Sequence, residues 1–244
     1  MMSAQPLQGA GPLLARTLAF YRDHARLVLA VTLPIVAFVD VVLALGLGEL
    51  TASVHRPIPP ADGYLDLAAS ELVTIPLVTA ILARLVVTDL RGGAPATVRA
   101  VVLEGLDLFA PAFIAIVLFA SGVLAGIFFF VIPGIYLAVS WYFVVQAVAV
   151  DGVRGVATVA LSRTLVTGRW LHSAGIGIAY QLAVGIPSLL TAAAFGWLAR
   201  AANSDAMVVL GNVLIDTLAL PFVAIGATLY YLELRQRAGM PPPR

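Results

Sequence analysis

Apolar and polar positions alternate along this chain on the scale of whole helices, not of single residues. Almost uncharged runs cover roughly 27–47, 65–87, 109–131, 135–150, 174–198 and 207–232, and charged residues return in the short stretches between them. A membrane-crossing helix needs about 20 consecutive apolar residues, whereas a membrane β-barrel would alternate within segments of about ten. The runs therefore predict an all-α, polytopic membrane protein with six transmembrane helices.

Three of the intervening stretches are amphipathic at helical spacing. Leu14, Leu18, Tyr21 and Ala25 share a face away from Arg16 and Asp23; Val98, Val101, Val102, Gly105, Leu106 and Phe109 oppose Arg99, Glu104 and Asp107; Ala157, Ala160, Leu161, Thr164 and Leu165 form the third face. Each is expected to lie on the membrane as an interfacial helix. The order of amphipathic segment, outward span and return span recurs three times, from near Leu14, Val98 and Ala157, with low residue identity between the units. It reads either as a hairpin-based internal repeat or as the ordinary look of a six-span chain with basic inner loops.

Punctuation follows the same plan. The segment ELTASVHRPIPPADG (49–63) predicts a surface excursion between the first two spans. Pro133 and Gly134, with Ile132, predict a tight helix break between spans three and four, because proline lacks the helical donor and glycine tolerates unusual dihedrals. Met1–Gly11 has no basic segment leading into a short apolar core, so a cleaved signal peptide is not expected. The expected division is 1–26 as an N-terminus with its interfacial helix, 27–232 as the six-span domain and 233–244 as a tail.

Composition sharpens this picture. Of 244 residues, 61% are hydrophobic and 11% charged, with mean hydropathy +1.01, against roughly 45–50% and 25% in soluble domains. Cysteine is absent, which removes disulfides, thiolate ligands and cysteine nucleophiles from consideration. Every basic residue is arginine, and their placement gives an orientation. Arg16, Arg22 and Arg26 precede span one; Arg84, Arg91 and Arg99 surround the link between spans two and three; Arg154, Arg163 and Arg169 fill that between four and five. Arg235, Arg237 and Arg244 follow span six, leaving only Arg56 and Arg200 on the other side. The positive-inside rule places both termini in the cytoplasm. Tyr64, Tyr136 and Trp197 are then expected at the outer interface, and Trp170, Tyr230 and Tyr231 at the inner one.

Candidate chemistry is sparse. His24, His55 and His172 have no partner at metal-ligand spacing, and no phosphate loop, G-x-S-x-G elbow or H-E-x-x-H occurs, so no catalytic residue, metal or cofactor is assigned. Asp40, Glu71 and Asp216 are the pointed exception, since counting from the span ends puts all three in the outer half of the bilayer. An aspartate at a helix centre there costs roughly 2.5–3.5 kcal/mol on insertion scales. Two readings stay open: an outward acidic cluster for a proton or cation, or three neutral carboxyls hydrogen-bonded separately across helix interfaces.

Gln146, Gln181 and Asn212 read as interhelical hydrogen-bonding groups, and Gly122 and Gly126 as a close-packing pair, intramolecular before oligomeric. Pro34, Pro76, Pro187 and Pro221 interrupt four spans, either as plain kinks or as breaks around a site. Arg154, Arg163 and Arg169, with Trp170 as anchor, suit anionic headgroups or a cytosolic partner, and equally a pure topology signal.

The segment IPGIYLAVSWYFVVQAVAVDG followed by ALSRTLVTGRW resembles the integral membrane domain attached to some bacterial glycerophosphodiester phosphodiesterases and its stand-alone inner-membrane relatives. Pro133, Gly134, Tyr136, Trp141, Asp151, Gly152, Arg163, Gly168, Arg169 and Trp170 carry the likeness, which is strong over about Ile132 to Gly175 and looser over the hydrophobic layout, including LARTLAFYRDHARL. The family commonly has a proline where this chain has Gln146. The resemblance implies a bacterial inner-membrane module, connected with lipids or membrane-associated partners, without the soluble barrel that carries hydrolase activity.

The expected function is a non-enzymatic inner-membrane module acting as an accessory or organising subunit. A small proton-coupled transporter or channel-like protein using Asp40, Glu71 and Asp216 is the alternative, and a lipid-modifying enzyme a third. Expected partners are the bilayer, its anionic lipids and a membrane-protein complex, and no nucleic acid.

Overall fold

A computed structural model describes residues 9–46, 70–92, 97–204 and 206–243, with the side chains of 43–46, 70 and 71 excepted. The helices are α1 (Ala10–Asp23), α2 (Ala25–Gly46), α3 (Ile75–Leu90), α4 (Val98–Phe129), α5 (Val131–Ser140), α6 (Val144–Asp151), α7 (Val156–Val166), α8 (Trp170–Ala202) and α9 (Ala206–Arg237). A π-helical turn, Ser70–Thr74, leads into α3. Among the described residues there is no strand, and six stretches are long and apolar enough to cross a membrane: Ala25–Val42, Leu72–Leu90, Val98–Phe129, Val131–Asp151, Trp170–Ala202 and Ala206–Arg237. The fold is all-α and multi-pass.

The interior forms around α3, whose stretch is 61% buried, against 6% for Trp170–Ala202. Helix α3 packs on α4, α6 and α9, and α9 in turn carries α1, α2 and α8. Leu82 and Val86 of α3 meet a core that includes Ala112 and Ala115 of α4, Val144–Val150 of α6, and Ile225, Tyr230, Tyr231 and Leu234 of α9, while Ile81 packs in a smaller cluster with Val31 of α2 and Val101 of α4. Water cannot drive helices together inside a bilayer, so such contacts stabilise through close packing and small residues. Large apolar side chains outside this core, such as Phe128 at 86% and Ile132 at 80% exposure, occupy positions that face lipid in a membrane.

Several local expectations change. The stretch from Val98 is no separate interfacial helix but the first turns of the continuous 32-residue α4, about 48 Å long at 1.5 Å per residue. Thr97 caps it by accepting from the Ala100 amide. Val101 and Gly105 are buried while Val98 and Leu106 are exposed, because the face that packs is set by Ile81 lying against Gly105.

The reversal falls at Phe130, extended at φ −160°, and not at Pro133 and Gly134. These two occupy the opening turn of α5, where a proline loses no helical bond. Gly134 is needed for contact: a Cβ there would sit 2.3 Å from Ile127 Cγ1 and 2.7 Å from the Ile127 backbone nitrogen. Gly126 faces Gly134, and the Trp141 ring covers Gly122, so the G-x-x-x-G pair serves packing within the chain.

Span four is broken. Helix α5 stops at Ser140 and α6 begins at Val144. Ser162 of α7 fits the gap, its hydroxyl donating to the Ser140 carbonyl (2.9 Å) and accepting from the Phe143 amide (3.1 Å). Backbone groups freed inside an apolar bundle need such partners, which accounts for the break being tolerated. In α7 only part of the expected face is covered: Leu165 is buried and Leu161 half-buried, Ala157, Ala160 and Thr164 are exposed, and Thr158, Ser162 and Val166 complete the buried side. In α1 likewise Leu13 and Thr17 are buried and Leu18 is exposed, since α1 packs across α8 and α9. The three units beginning near Leu14, Val98 and Ala157 therefore adopt three different arrangements.

Of the prolines, Pro34, Pro187 and Pro221 lie inside helices, and Pro111 of α4 joins them. Pro76 sits in the first turn of α3.

Candidate functional site

The most polar part of the interior is built where α6 ends. Asp151 closes the helix and Gly152 turns the chain in the left-handed region (φ +68°), its amide donating to the Val148 carbonyl while the Val153 amide reaches Ala147. This six-to-one closure favours glycine because a Cβ is strained at positive φ. Gly155 and Gly168, at φ +59° and +79°, turn the chain into and out of α7. The D-G-x-x-G and T-G-R-W segments are thus the hinges of a reversal.

The turn holds the Asp151 carboxylate against α9. Arg235 Nη2 donates to Asp151 Oδ1 at 2.6 Å, and the Tyr231 hydroxyl donates to Asp151 Oδ2. The side chains are only 5% and 11% exposed for Arg235 and Asp151. A buried pair of opposite charges demands such added hydrogen bonds, because desolvation otherwise outweighs the attraction. Around it, Arg84 of α3 lies 3.5 Å from the Ala149 carbonyl and 3.5 Å from Glu104. His24 places one ring nitrogen 3.0 Å from Asp89 and the other 3.1 Å from the Phe20 carbonyl. Arg237 pairs with Glu233 one turn away at 3.3 Å. Burial holds the Tyr21 phenol above its ordinary range.

A second feature lies beside this end. Between α5 and α8, with α9 as its floor, is a cavity of about 790 Å³ lined by Ile135, Val139, Tyr142, Trp170, Gly177 and Tyr230 among others. Its lining is almost wholly apolar. The Ser173 and Tyr230 hydroxyls bond each other at 3.0 Å, and Tyr180 is tied to Thr17 of α1 at 2.5 Å. Leu171, 80% exposed, and Ile178 and Leu182 mark its open side. At one end of the cavity the Tyr136 and Trp170 rings stack at 6.0 Å, with Trp170 Nε1 donating to the Tyr136 carbonyl, which ties α5 to the start of α8. Tyr136 and Trp170 therefore do not mark opposite membrane interfaces, as their places in the sequence suggest. The broken fourth span and the returning α7 carry Trp170 to α5.

The residues singled out in the sequence fare unevenly. Asp40 and Asp216 are part-buried on α2 and α9, which pack along each other, and neither lacks a partner. Glu71 falls in the π-helical turn with its side chain outside the described residues, as is all of His55. Arg154 and Arg163 are exposed, and Arg169 and Trp170 are part-buried at the start of α8. Gln146 is buried in the α6 run, Asn212 is exposed on α9, and Gln181, also exposed, is one of the few polar residues lining the cavity. Among the described residues no group of three or more His, Cys, Asp or Glu could hold a metal ion.

The Asp151–Tyr231–Arg235 cluster and the cavity are not among the sites that the sequence assigns. An aspartate ending one apolar run and an arginine ending another are visible signals of the first; nothing local signals the second. Comparison with family models, curated proteins and solved structures finds no match for the chain.

Proposed function

We propose that the chain is a non-enzymatic, multi-pass membrane module that holds one lipid or lipid-like molecule between α5 and α8 and, through it, organises membrane-associated partners. In this reading it resides in a bacterial inner membrane with both termini cytoplasmic, as the arginine placement and the phosphodiesterase-associated resemblance imply. The observation that carries it is the cavity: about 790 Å³, within the roughly 300–1,000 Å³ of small-molecule sites, apolar, and open toward the lipid-facing side of α8. Empty, such a space would forfeit the dispersion contacts of its lining, and an acyl chain restores them.

Gly177 gives a clean test, since a Cβ there meets nothing within 4 Å. Native mass spectrometry of the protein extracted gently from its own membrane is expected to show a retained lipid, and Gly177→Leu to lose it with the fold intact. A lipid held equally by both proteins overturns the reading.

A proton-coupled carrier is the second reading, favoured by α2 and α9 packing together with Asp40 and Asp216 on them. The combination Asp40→Asn, Glu71→Gln and Asp216→Asn separates the two. The lipid-holding module keeps its lipid and partners in that variant, whereas a carrier loses transport.

A further inference from the structure

The α5–α8 cavity is lined without charge. Among the described residues around it there is no Asp, Glu, Lys, Arg or His, so a charged headgroup drawn inside would find no counter-charge to offset its desolvation. The lining does carry neutral hydrogen-bonding groups, and most of them are already committed. Ser173 and Tyr230 bond each other at 3.0 Å, Tyr180 is tied to Thr17 at 2.5 Å, and Trp170 Nε1 donates to the Tyr136 carbonyl.

Two lining groups are left over: the Tyr142 hydroxyl, in the break between α5 and α6, and the Gln181 carboxamide of α8. Both residues are exposed, and neither makes a hydrogen bond among the described residues. Gln181 is also deep. The span Trp170–Ala202 is centred on Ile186, so Gln181 lies about 8 Å along the helix from its middle at 1.5 Å per residue, inside a hydrocarbon core of roughly 30 Å. Water does not replace a missing partner at that depth, and an amide or phenol left unpaired there is costly. The carboxamide both donates and accepts and the phenol can do either, but neither neutralises a charge.

Resting on the lipid-holding reading, we infer that the occupant is an uncharged lipid whose polar end carries carbonyl or hydroxyl oxygens, hydrogen-bonded by Gln181 and Tyr142, with its chain along the apolar wall of the cavity. Diacylglycerols and prenylquinones share this chemistry. A phospholipid also has ester carbonyls, but its phosphate holds them toward the headgroup region, outside the depth of Gln181.

The full chain is reconstituted in phosphatidylcholine nanodiscs carrying small, equal amounts of diacylglycerol and phosphatidylglycerol with identical acyl chains, and in a second set carrying a prenylquinone. Native mass spectrometry counts the retained lipid. An uncharged lipid is expected at about tenfold over its share of the disc, the effect of two hydrogen bonds of modest net strength. Enrichment of the diacylglycerol alone names a glycerolipid and of the quinone alone an isoprenoid, and either supports the inference. Gln181→Leu and Tyr142→Phe are each expected to lower the enrichment about threefold, whereas Asn212→Leu, exposed on α9 and away from the lining, is expected to leave it unchanged. Retention of phospholipid in proportion to the disc or in excess overturns the inference, as does an enrichment that survives Gln181→Leu and Tyr142→Phe combined. Either result leaves the lipid-holding module standing. Loss of that reading has its own signature, which is lipid retention unaffected by Gly177→Leu.

Discussion

Replacing Asp151 by alanine tests how α6 is fastened to α9. The change removes the carboxylate that accepts both from Arg235 Nη2, at 2.6 Å, and from the Tyr231 hydroxyl. It leaves a guanidinium whose side chain is only 5% exposed without its counter-charge, and its Nε already lacks a partner among the described residues. An exposed ion pair would cost about 0–1 kcal/mol on such a change, whereas breaking a buried one costs about 3–5 kcal/mol. The burial decides for the larger figure. Alanine is compatible with the last helical turn, so backbone strain adds little; the left-handed position is Gly152, which stays. The double variant Asp151→Leu with Arg235→Met removes both charges and is expected to recover most of the loss, since apolar replacements of a buried pair are often neutral or better. The assay is reversible unfolding in mixed micelles, followed by circular dichroism against the mole fraction of denaturing detergent. A loss below about 1 kcal/mol for Asp151→Ala, or a double variant as weak as the single one, refutes the claim that the pair is buried and coupled.

Two further outcomes follow from contacts inside the bundle. Gly134→Ala places a methyl group 2.3 Å from Ile127 Cγ1 and 2.7 Å from the Ile127 nitrogen, so the α4–α5 hairpin must spread; a loss of about 1–3 kcal/mol is expected in the same unfolding assay, and no loss would show that the hairpin is not tightly closed. Thr17→Val removes the 2.5 Å bond to Tyr180 at nearly constant volume. With Tyr180→Phe it forms a double-mutant cycle expected to couple by about 0.5–1.5 kcal/mol, and zero coupling would detach α1 from α8.

Distance along the chain decides which features a linear pattern reveals. Six apolar stretches are legible because a membrane-crossing helix is a local object: its backbone bonds close within it and its length is fixed by the bilayer. Gly122 and Gly126 are legible for the same reason, as a spacing on one helix. The packed faces of α1 and α7 are not, because an amphipathic pattern shows which face is apolar without showing what covers it. Thr17 and Ser162 read as polar, yet both are buried by hydrogen bonds to Tyr180 of α8 and to the backbone of the broken span. The break at residues 141–143 is invisible in a run as apolar as SWYFVVQ, since it depends on a serine some twenty residues further on.

The candidate site divides along the same line. The sequence alone determined an all-α chain with six apolar spans and arginines concentrated in the stretches between them, which follow from local composition and spacing; Asp151, Gly152 and Gly168 stood out in it only as carriers of a family resemblance. Only the tertiary structure decided that Asp151 meets Arg235, that Trp170 stacks on Tyr136, and that a cavity opens between α5 and α8. Each of these joins residues from different helices, and in an apolar bundle their pairing is set by side-chain volume and by the need to satisfy buried polar groups, neither of which a one-dimensional pattern records.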